Sequence, residues 1–258
     1  MQENRFSDRY AQQQVDWYSL KEFVANGNTV KVRSAPLYGR ADEYFNKRFW
    51  VREFEVPMMR IDGKLWMSIT PLEIQSMILP IHRAWGYVGT GGLGMGYFAL
   101  KCAEKDSVKE IKVYEHNKDV IKFFTQMFNH RKGFEKIKII EKDVRCIKNE
   151  SFSYFFMDIY QTQLSEQALE DTNDFWRNNN SAGQYDWWCQ ERCLLQALLN
   201  EWEPFLEADE RILFKEFAQA EYPHAKEDGG PETKLDLYNP IHDDDFVQEV
   251  VQDYLGRC

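Results

Sequence analysis

A glycine-rich segment, YVGTGGLGMG at residues 87–96, constrains the fold of this chain more than any other feature. Five of its ten residues are glycine, an apolar run precedes it, and the helix-like stretch YFALKCAEK follows at 97–105. A backbone without Cβ atoms at the start of a helix can bend sharply and lets a ligand approach free N–H groups. The segment therefore predicts a ligand-binding loop between a strand and a helix.

Two registers of glycine are possible within this segment. The second register ends directly against the predicted helix, so we favour it for the loop that faces a ligand. No Lys-Ser or Lys-Thr pair follows the loop, which excludes a P-loop for nucleoside triphosphates. The first register contains Gly89, Gly91 and Gly94, and the second contains Gly92, Gly94 and Gly96.

Strand-like and helix-like segments alternate from residue 86 onward. This alternation predicts right-handed crossovers and an α/β fold, a Rossmann-like doubly wound sheet that is mostly parallel. Ligands of such sheets bind at the carboxyl ends of the strands. The predicted strands are 86–91, 111–115, 137–141, 154–157 and 211–217, with helices at 97–105, 117–130 and 186–206.

The N-terminal part has a different pattern. Residues 28–70 are strand-like, and Asp62-Gly63 between apolar runs predicts a β-hairpin. A helix is expected at 71–85, with a kink at Pro80. We therefore predict a strand-rich element at 1–70, containing a small β-hairpin, and a Rossmann-like domain at 71–258.

Acidic residues follow the second and third predicted strands. Glu115 ends the second strand, 19 positions after Gly96, where a carboxylate can accept hydrogen bonds from both ribose hydroxyls. Asp143 follows the third strand and can accept from an adenine amino group. Together with the loop, these acids predict an adenosyl ligand.

The segments GLGMGYFALKCAEK, IKVYEHNKDVIKFF, KIKIIEKDVRCI and YFFMDIY resemble the core of class I S-adenosylmethionine-dependent methyltransferases. Within that superfamily the chain is similar to the branch related to the spermidine (polyamine) synthases, over roughly residues 55–217. The resemblance implies S-adenosylmethionine as cofactor. It also implies a role for each matching residue: the loop passes the methionine part at Gly92, Gly94 and Gly96, Glu115 holds the ribose, and Asp143 with Val144 meets the adenine.

The chain departs from this pattern at three positions. An acid is often found two positions before the first glycine, where this chain has Thr90. The glutamine that polyamine synthases carry after the hairpin turn is Trp66, and their second acid after strand four is Gln161. The similarity to that branch therefore concerns the scaffold more than the reaction.

The resemblance also suggests catalytic positions after the fourth strand. Asp158 would act as a base or orient the acceptor, and Tyr160 would shape the pocket, while a turn cap and core packing are the alternative roles. Asp158 with Lys215 is also similar to the site of RNA ribose 2′-O-methyltransferases. Residues 173–184 are predicted as a loop, whose neighbouring aromatic residues form either a lid or a packed cover.

Charge and cysteine content make several partners and sites less favourable. The chain has 32 basic and 42 acidic residues, a net charge of −10, which disfavours nucleic acid and anionic membranes as partners. The polar start and the lack of an apolar run of roughly 20 residues predict a cytoplasmic protein. Cys189 and Cys193 are expected on one helix face, packed in the core, and no metal site is predicted.

We therefore expect a methyltransferase that acts on a small-molecule or protein acceptor. Three alternatives stay open: a polyamine-synthase-like or S-adenosylmethionine-cleaving enzyme that releases methylthioadenosine, an RNA ribose 2′-O-methyltransferase, and a binding or assembly module without turnover. The sequence makes no prediction about the oligomeric state.

Overall fold

The computed structural model describes residues 8–20, 22–25, 29–42, 48–163, 165, 167–179 and 183–190. These residues belong to two compact units. The first unit holds the described residues before 45 together with Arg48–Ile159 and Asp174–Trp188, and the second holds the described residues among Tyr160–Asn173 with Cys189 and Gln190. Both sheets described below lie in the first unit, and the predicted division at residue 70 stays a prediction.

The N-terminal sheet is antiparallel and follows a short helix, α1 (Asp8–Tyr18). Its four strands pair in sequence order. They are β1 (Phe23–Val24), β2 (Val30–Asp42), β3 (Arg48–Ile61) and β4 (Lys64–Ser68). Asp62 and Gly63 have φ of 50° and 78°, the left-handed conformation that a two-residue hairpin requires, so the predicted hairpin is confirmed.

Two short helices replace the single kinked helix expected at 71–85. They are α2 (Pro71–Ser76) and α3 (Ile78–Arg83), and they separate at Met77, three residues before Pro80. Proline has no N–H to donate to the carbonyl four residues earlier, and its ring crowds that carbonyl. That carbonyl belongs to Ser76, the last residue of α2. The helix is therefore interrupted at the position where the hydrogen bond to Pro80 would otherwise form.

The second sheet is parallel throughout, with strand order β7-β6-β5-β8-β9. The predicted Rossmann-like α/β fold is confirmed by this order, in which the chain starts at the centre and extends to both sides. The strands are β5 (Gly86–Gly91), β6 (Val108–Glu115), β7 (Ile137–Glu141), β8 (Tyr154–Met157) and β9 (Gln184–Trp187). The helices are α4 (Tyr97–Ala103), α5 (Lys118–Phe128) and α6 (Gln167–Asn178).

The fifth strand lies earlier in the chain than predicted. Gln184–Trp187 pairs with β8, so the expected start of a helix at residue 186 is wrong. The predicted loop at 173–184 is also wrong in part, because α6 extends to Asn178. The segment 211–217 lies outside the described residues, as does the rest of the helix predicted up to 206.

The aromatic residues near β9 pack inside the first unit. Phe155 contacts Phe175 at a ring-centroid distance of 4.3 Å and stacks on Tyr185 at 5.7 Å. Both partners are buried, whereas Trp176 is 41% exposed. For Phe175 and Tyr185 the packed interpretation is therefore correct. Cys189 is buried as expected but occupies a turn with φ of 65°, which corrects its placement on a helix.

A buried polar network attaches β9 to the rest of the unit. The Asp186 carboxylate accepts hydrogen bonds from Arg83 Nη1 at 3.0 Å and from the Tyr154 hydroxyl at 2.7 Å. Burial raises the pKa of Tyr154, and the neighbouring Asp186 carboxylate adds to that rise. None of the helices in the described ranges combines the length and apolar character that a membrane span requires.

Candidate functional site at the glycine loop

The glycine loop lies where the chain direction across the parallel sheet reverses. β5 is central, with β6 on one side and β8 on the other, so the segments leaving β5 and β8 diverge at the same edge. The Asp158 N–H donates to the Gly91 carbonyl at 2.8 Å, which joins the two strand ends just beyond the sheet. Crevices at such switch points are the usual ligand sites of open α/β sheets.

Three glycines bend the loop. Gly92, Gly94 and Gly96 have φ of 86°, 49° and 77°, so each adopts the left-handed conformation that favours glycine. A Cβ on each would also meet protein atoms: the Asp158 carbonyl oxygen at 2.0 Å, Met67 Sδ at 2.3 Å and Phe124 Cε2 at 1.9 Å, respectively. These glycines are thus required by the fold, and their contact with a ligand stays a prediction.

Gly89 and Gly91 are glycines for a different reason. A Cβ at Gly89 would lie 2.4 Å from Phe155 Cδ2, and one at Gly91 would lie 2.7 Å from Met157 Sδ. Large side chains of β8 and of the segment before it thus fill the space over β5. Gly89 and Gly91 therefore serve the packing of the sheet, a role that the spacing of glycines in the sequence does not reveal.

Glu115 fixes the loop to the end of β6. Its Oε2 accepts from the Leu93 N–H at 3.1 Å, and its Oε1 accepts from the Asn117 N–H at 2.7 Å. The side chain is 8% exposed. Since a carboxylate can accept about four hydrogen bonds, the group retains acceptor capacity for the ribose hydroxyls that the sequence predicts.

Asp143 and Val144 lie after β7 on the same edge. Asp143 is exposed, and one of its oxygens accepts from the Arg145 N–H at 2.9 Å, which caps a short turn at Val144–Cys146. Val144 is buried, and its Cγ2 would lie 2.8 Å from a Cβ on Gly91. An apolar side chain beside an acceptor suits the face and the amino group of a purine ring, and this role stays a prediction.

The N-terminal residues cover the outer side of the loop. The Met95 N–H donates to Met67 Sδ at 2.9 Å, and the Tyr18 hydroxyl donates to the Met95 carbonyl at 2.6 Å. Tyr97, the first residue of α4, donates to Gln14 Oε1 at 3.0 Å. Met67 and Tyr18 were not predicted as loop contacts, and the sequence pattern gives no sign of them because they come from the N-terminal helix and hairpin.

Asp158 has a carboxyl neighbour that the sequence did not predict. Desolvation raises the pKa of Asp158 to about 7. Burial also raises the pKa of Glu73, and the Asp158 carboxylate raises it further. Glu73 is 8% exposed and lies in α2. The sign available in the sequence was that Glu73 is the single charged residue in the stretch PLEIQSMILP at 71–80.

Two further site residues were expected from the sequence. Tyr160 is partly buried and belongs to the second unit, so its role stays a prediction. Lys215 lies outside the described residues. Within the part of the chain that the structure describes, no group of three metal-ligating side chains is present.

Comparison with known proteins gives weak likenesses. No protein-family model matches the chain, and no curated protein matches it. The YcgJ protein of Bacillus subtilis is similar over 38% of this chain and 44% of its own, with 21% identity and a TM-score of 0.31. An S-adenosylmethionine-dependent O-methyltransferase of Thermotoga maritima is similar over 45% of this chain and 42% of its own, with 17% identity and a TM-score of 0.33.

A phosphoethanolamine N-methyltransferase of Haemonchus contortus, solved with S-adenosylhomocysteine, is similar over 43% of this chain and 24% of its own. It shows 16% identity and a TM-score of 0.34. The chain thus spans less than half the length of these three proteins. We therefore base the function on the geometry of the loop and the strand ends.

Gly96→Ala should destabilise the protein more than Gly63→Ala. Both glycines have φ near 78°, but a Cβ at Gly63 meets nothing within 4 Å, whereas at Gly96 it meets the Phe124 ring. Backbone strain alone should cost about 1–2 kcal/mol at Gly63, and crowding should add about 1–3 kcal/mol at Gly96. Urea unfolding measures both free energies, and equal losses would contradict the assigned packing.

Asp158→Asn should flatten the dependence of stability on pH. Since the folded-state pKa of Asp158 is raised from 3.8 to about 7, the native state binds this proton more tightly than the unfolded state. Its contribution to stability is full at low pH and is lost as pH rises through about 7, with a slope of up to about 1.4 kcal/mol per pH unit. Free energies of unfolding at pH 5 and pH 8 test this.

The matched control for this measurement is Asp106→Asn, which changes an exposed aspartate. The control should keep the wild-type difference between pH 5 and pH 8, whereas Asp158→Asn should reduce it. The same difference in all three proteins would show that the raised pKa of Asp158 has been assigned wrongly.

Proposed function

We propose that this protein is an S-adenosylmethionine-dependent methyltransferase. The observation that carries the proposal is the Glu115 carboxylate, which holds the Leu93 N–H of the glycine loop at the end of β6. This contact holds a carboxylate directly beside a bent loop at a switch point of the sheet, which supports its proposed role as acceptor for the ribose hydroxyls. Asp143 and Val144 would supply an acceptor and an apolar surface for the adenine on the same edge.

The groups at this edge fit S-adenosylmethionine. Glu115 would hold the ribose, Asp143 and Val144 would hold the adenine, and the loop at Gly92, Gly94 and Gly96 would lie along the methionine part. When bound, this cofactor supplies an electrophilic methyl group on a sulfonium. The contribution of the chain is to hold the acceptor in line with that group and to exclude water.

Asp158 is the residue best placed to assist. It follows β8 directly, and its carbonyl oxygen lies against Gly92. A carboxyl group whose pKa is about 7 exchanges a proton near neutral pH, so it can accept one from an acceptor nucleophile. Tyr160 would shape the acceptor side of the pocket, and a small molecule or a protein would be the acceptor.

The relation to the polyamine synthases is proposed for the scaffold alone. The Asp62-Gly63 hairpin precedes the parallel sheet, as the resemblance implies. Trp66 and Gln161 replace the substrate residues of that branch. We therefore propose methyl transfer in preference to aminopropyl transfer. We also propose that the protein is cytoplasmic.

Titration calorimetry with S-adenosylmethionine and S-adenosylhomocysteine tests the cofactor. Glu115→Ala should weaken binding at least about tenfold, because the loop loses an anchor and the ribose loses a charged acceptor. Glu115→Gln retains the side-chain shape and should weaken binding less. The matched control is Glu141→Ala, since Glu141 pairs with Glu115 in register, ends the neighbouring strand and is exposed.

Thermal unfolding of each variant checks that it folds. No binding to the wild-type protein, or equal binding by the wild type and Glu115→Ala, would overturn the proposal. Mass spectrometry of the nucleoside released in the presence of mixed acceptors identifies the reaction. S-adenosylhomocysteine supports methyl transfer, whereas methylthioadenosine would contradict it.

A further inference from the structure

Arg131 is a partly buried cation without a counter-ion among the described residues. Its Nη2 donates hydrogen bonds to the carbonyl oxygens of Trp17 and Tyr18, at 2.6 Å and 2.7 Å, at the C-terminal end of α1. Both N–H groups of that nitrogen are then used. Within the described ranges, Nε and Nη1 donate to no acceptor, and no carboxylate pairs with the guanidinium. Unused donors on a partly desolvated cation favour the approach of an acceptor with a negative charge.

A cavity of about 450 Å³ is lined by this residue and lies where the ends of α1 and α5 meet. The lining that the structure describes combines hydrogen-bond donors with an apolar wall and contains no carboxylate. The side chains of Ser19, Gln126 and His130 make no hydrogen bond to other described residues, so their polar groups can reach a ligand. The described lining residues are Ser19, Gln126, Met127, Phe128, His130 and Arg131.

The cavity and the Glu115 carboxylate lie at opposite ends of α5. This helix begins at Lys118, three residues after Glu115 at the carboxyl end of β6, and ends at Phe128. A helix of 11 residues is about 16 Å long. The cavity therefore belongs to the edge of the sheet away from Glu115, and an inference drawn from it does not rest on the proposed function.

The charges around the Trp17 ring favour an anion, although the chain as a whole carries −10. Arg131 Cζ lies 5.0 Å from the centre of this ring, and Lys101 Nζ lies 3.5 Å from it. The neighbouring carboxylate is Glu104, whose Oε1 accepts from Trp17 Nε1 at 2.9 Å. Two cations and one anion thus surround the indole, which leaves an excess of positive charge to attract a negatively charged group.

We propose that this cavity binds a small molecule that carries an oxyanion group, a carboxylate or a phosphate, on an apolar body. The Nε and Nη1 groups of Arg131 form a fork that matches two oxygens of either oxyanion. Ser19 and Gln126 add uncharged donors, and Met127 and Phe128 supply an apolar surface for the body of the ligand. The volume lies within the range of roughly 300–1,000 Å³ that is usual for small-molecule sites.

The test compares three aromatic probes at pH 7. Phenyl phosphate and benzoate carry the two oxyanions, and phenol is their neutral counterpart. Dissociation constants are measured by NMR titration for the wild type, Gln126→Glu and Gln126→Lys, which change the charge of the lining without removing the bonds of Arg131 to α1. The matched control is Gln13→Glu, which makes the same change of charge at an exposed residue of α1 that does not line the cavity.

We expect at least one of the two anions to bind the wild type more tightly than phenol. Gln126→Glu should weaken that anion about fivefold, because a like charge enters the cavity, and Gln126→Lys should strengthen it by a similar factor. Phenol should bind the wild type and both variants equally, and Gln13→Glu should match the wild type. The anion that binds more tightly identifies the oxyanion that the cavity prefers.

Opposite shifts from one position exclude a merely structural effect, since a loss of packing at Gln126 would weaken binding in both variants. The inference is wrong if neither anion binds the wild type, as when water alone fills the cavity, or if phenol binds as tightly as the anions. It is also wrong if Gln126→Glu and Gln126→Lys change the affinity in the same direction. Because Gln126 is exposed, we expect both variants to fold, and thermal unfolding checks this.

Discussion

The hydrogen bonds of the Glu115 carboxylate determine the geometry of the whole edge. One oxygen holds the glycine loop through Leu93, and the other holds the turn into α5 through Asn117. The group is desolvated, so each of these bonds is stronger than it would be in water. Loss of the carboxylate would leave a buried N–H in the loop without an acceptor. The loop, the start of α5 and the end of β6 therefore form one rigid surface.

Packing at the same place explains why so many glycines occur together. β5 is central in the sheet, and aromatic or long side chains from β8 and from α5 occupy the positions where Cβ atoms would lie. The loop can turn back toward α4 only because three of its residues adopt positive φ. The fold thus requires glycine at the same positions where the sequence predicts the approach of a ligand. Their spacing alone does not separate the two.

The sequence predicts the strands of the parallel sheet that precede residue 158 and the position of Glu115, because apolar runs and strand ends are local patterns. It does not predict β9, since Gln184–Trp187 is short and lies beside residues with helix-like spacing. Glu73 and Met67 also escape prediction, because their roles come from tertiary contacts. Pro80 is a predicted helix breaker, but the helix is interrupted earlier, at Met77. The reason is that the proline ring crowds the carbonyl of Ser76, the residue just before Met77.

The thioether of Met67 has a consequence for the shape of the loop. Sulfur is a weak hydrogen-bond acceptor, yet it satisfies the Met95 N–H. The amide is thus kept in its bent conformation by a side chain of the N-terminal hairpin. The hairpin in this way fixes the bend of the loop from outside the parallel sheet.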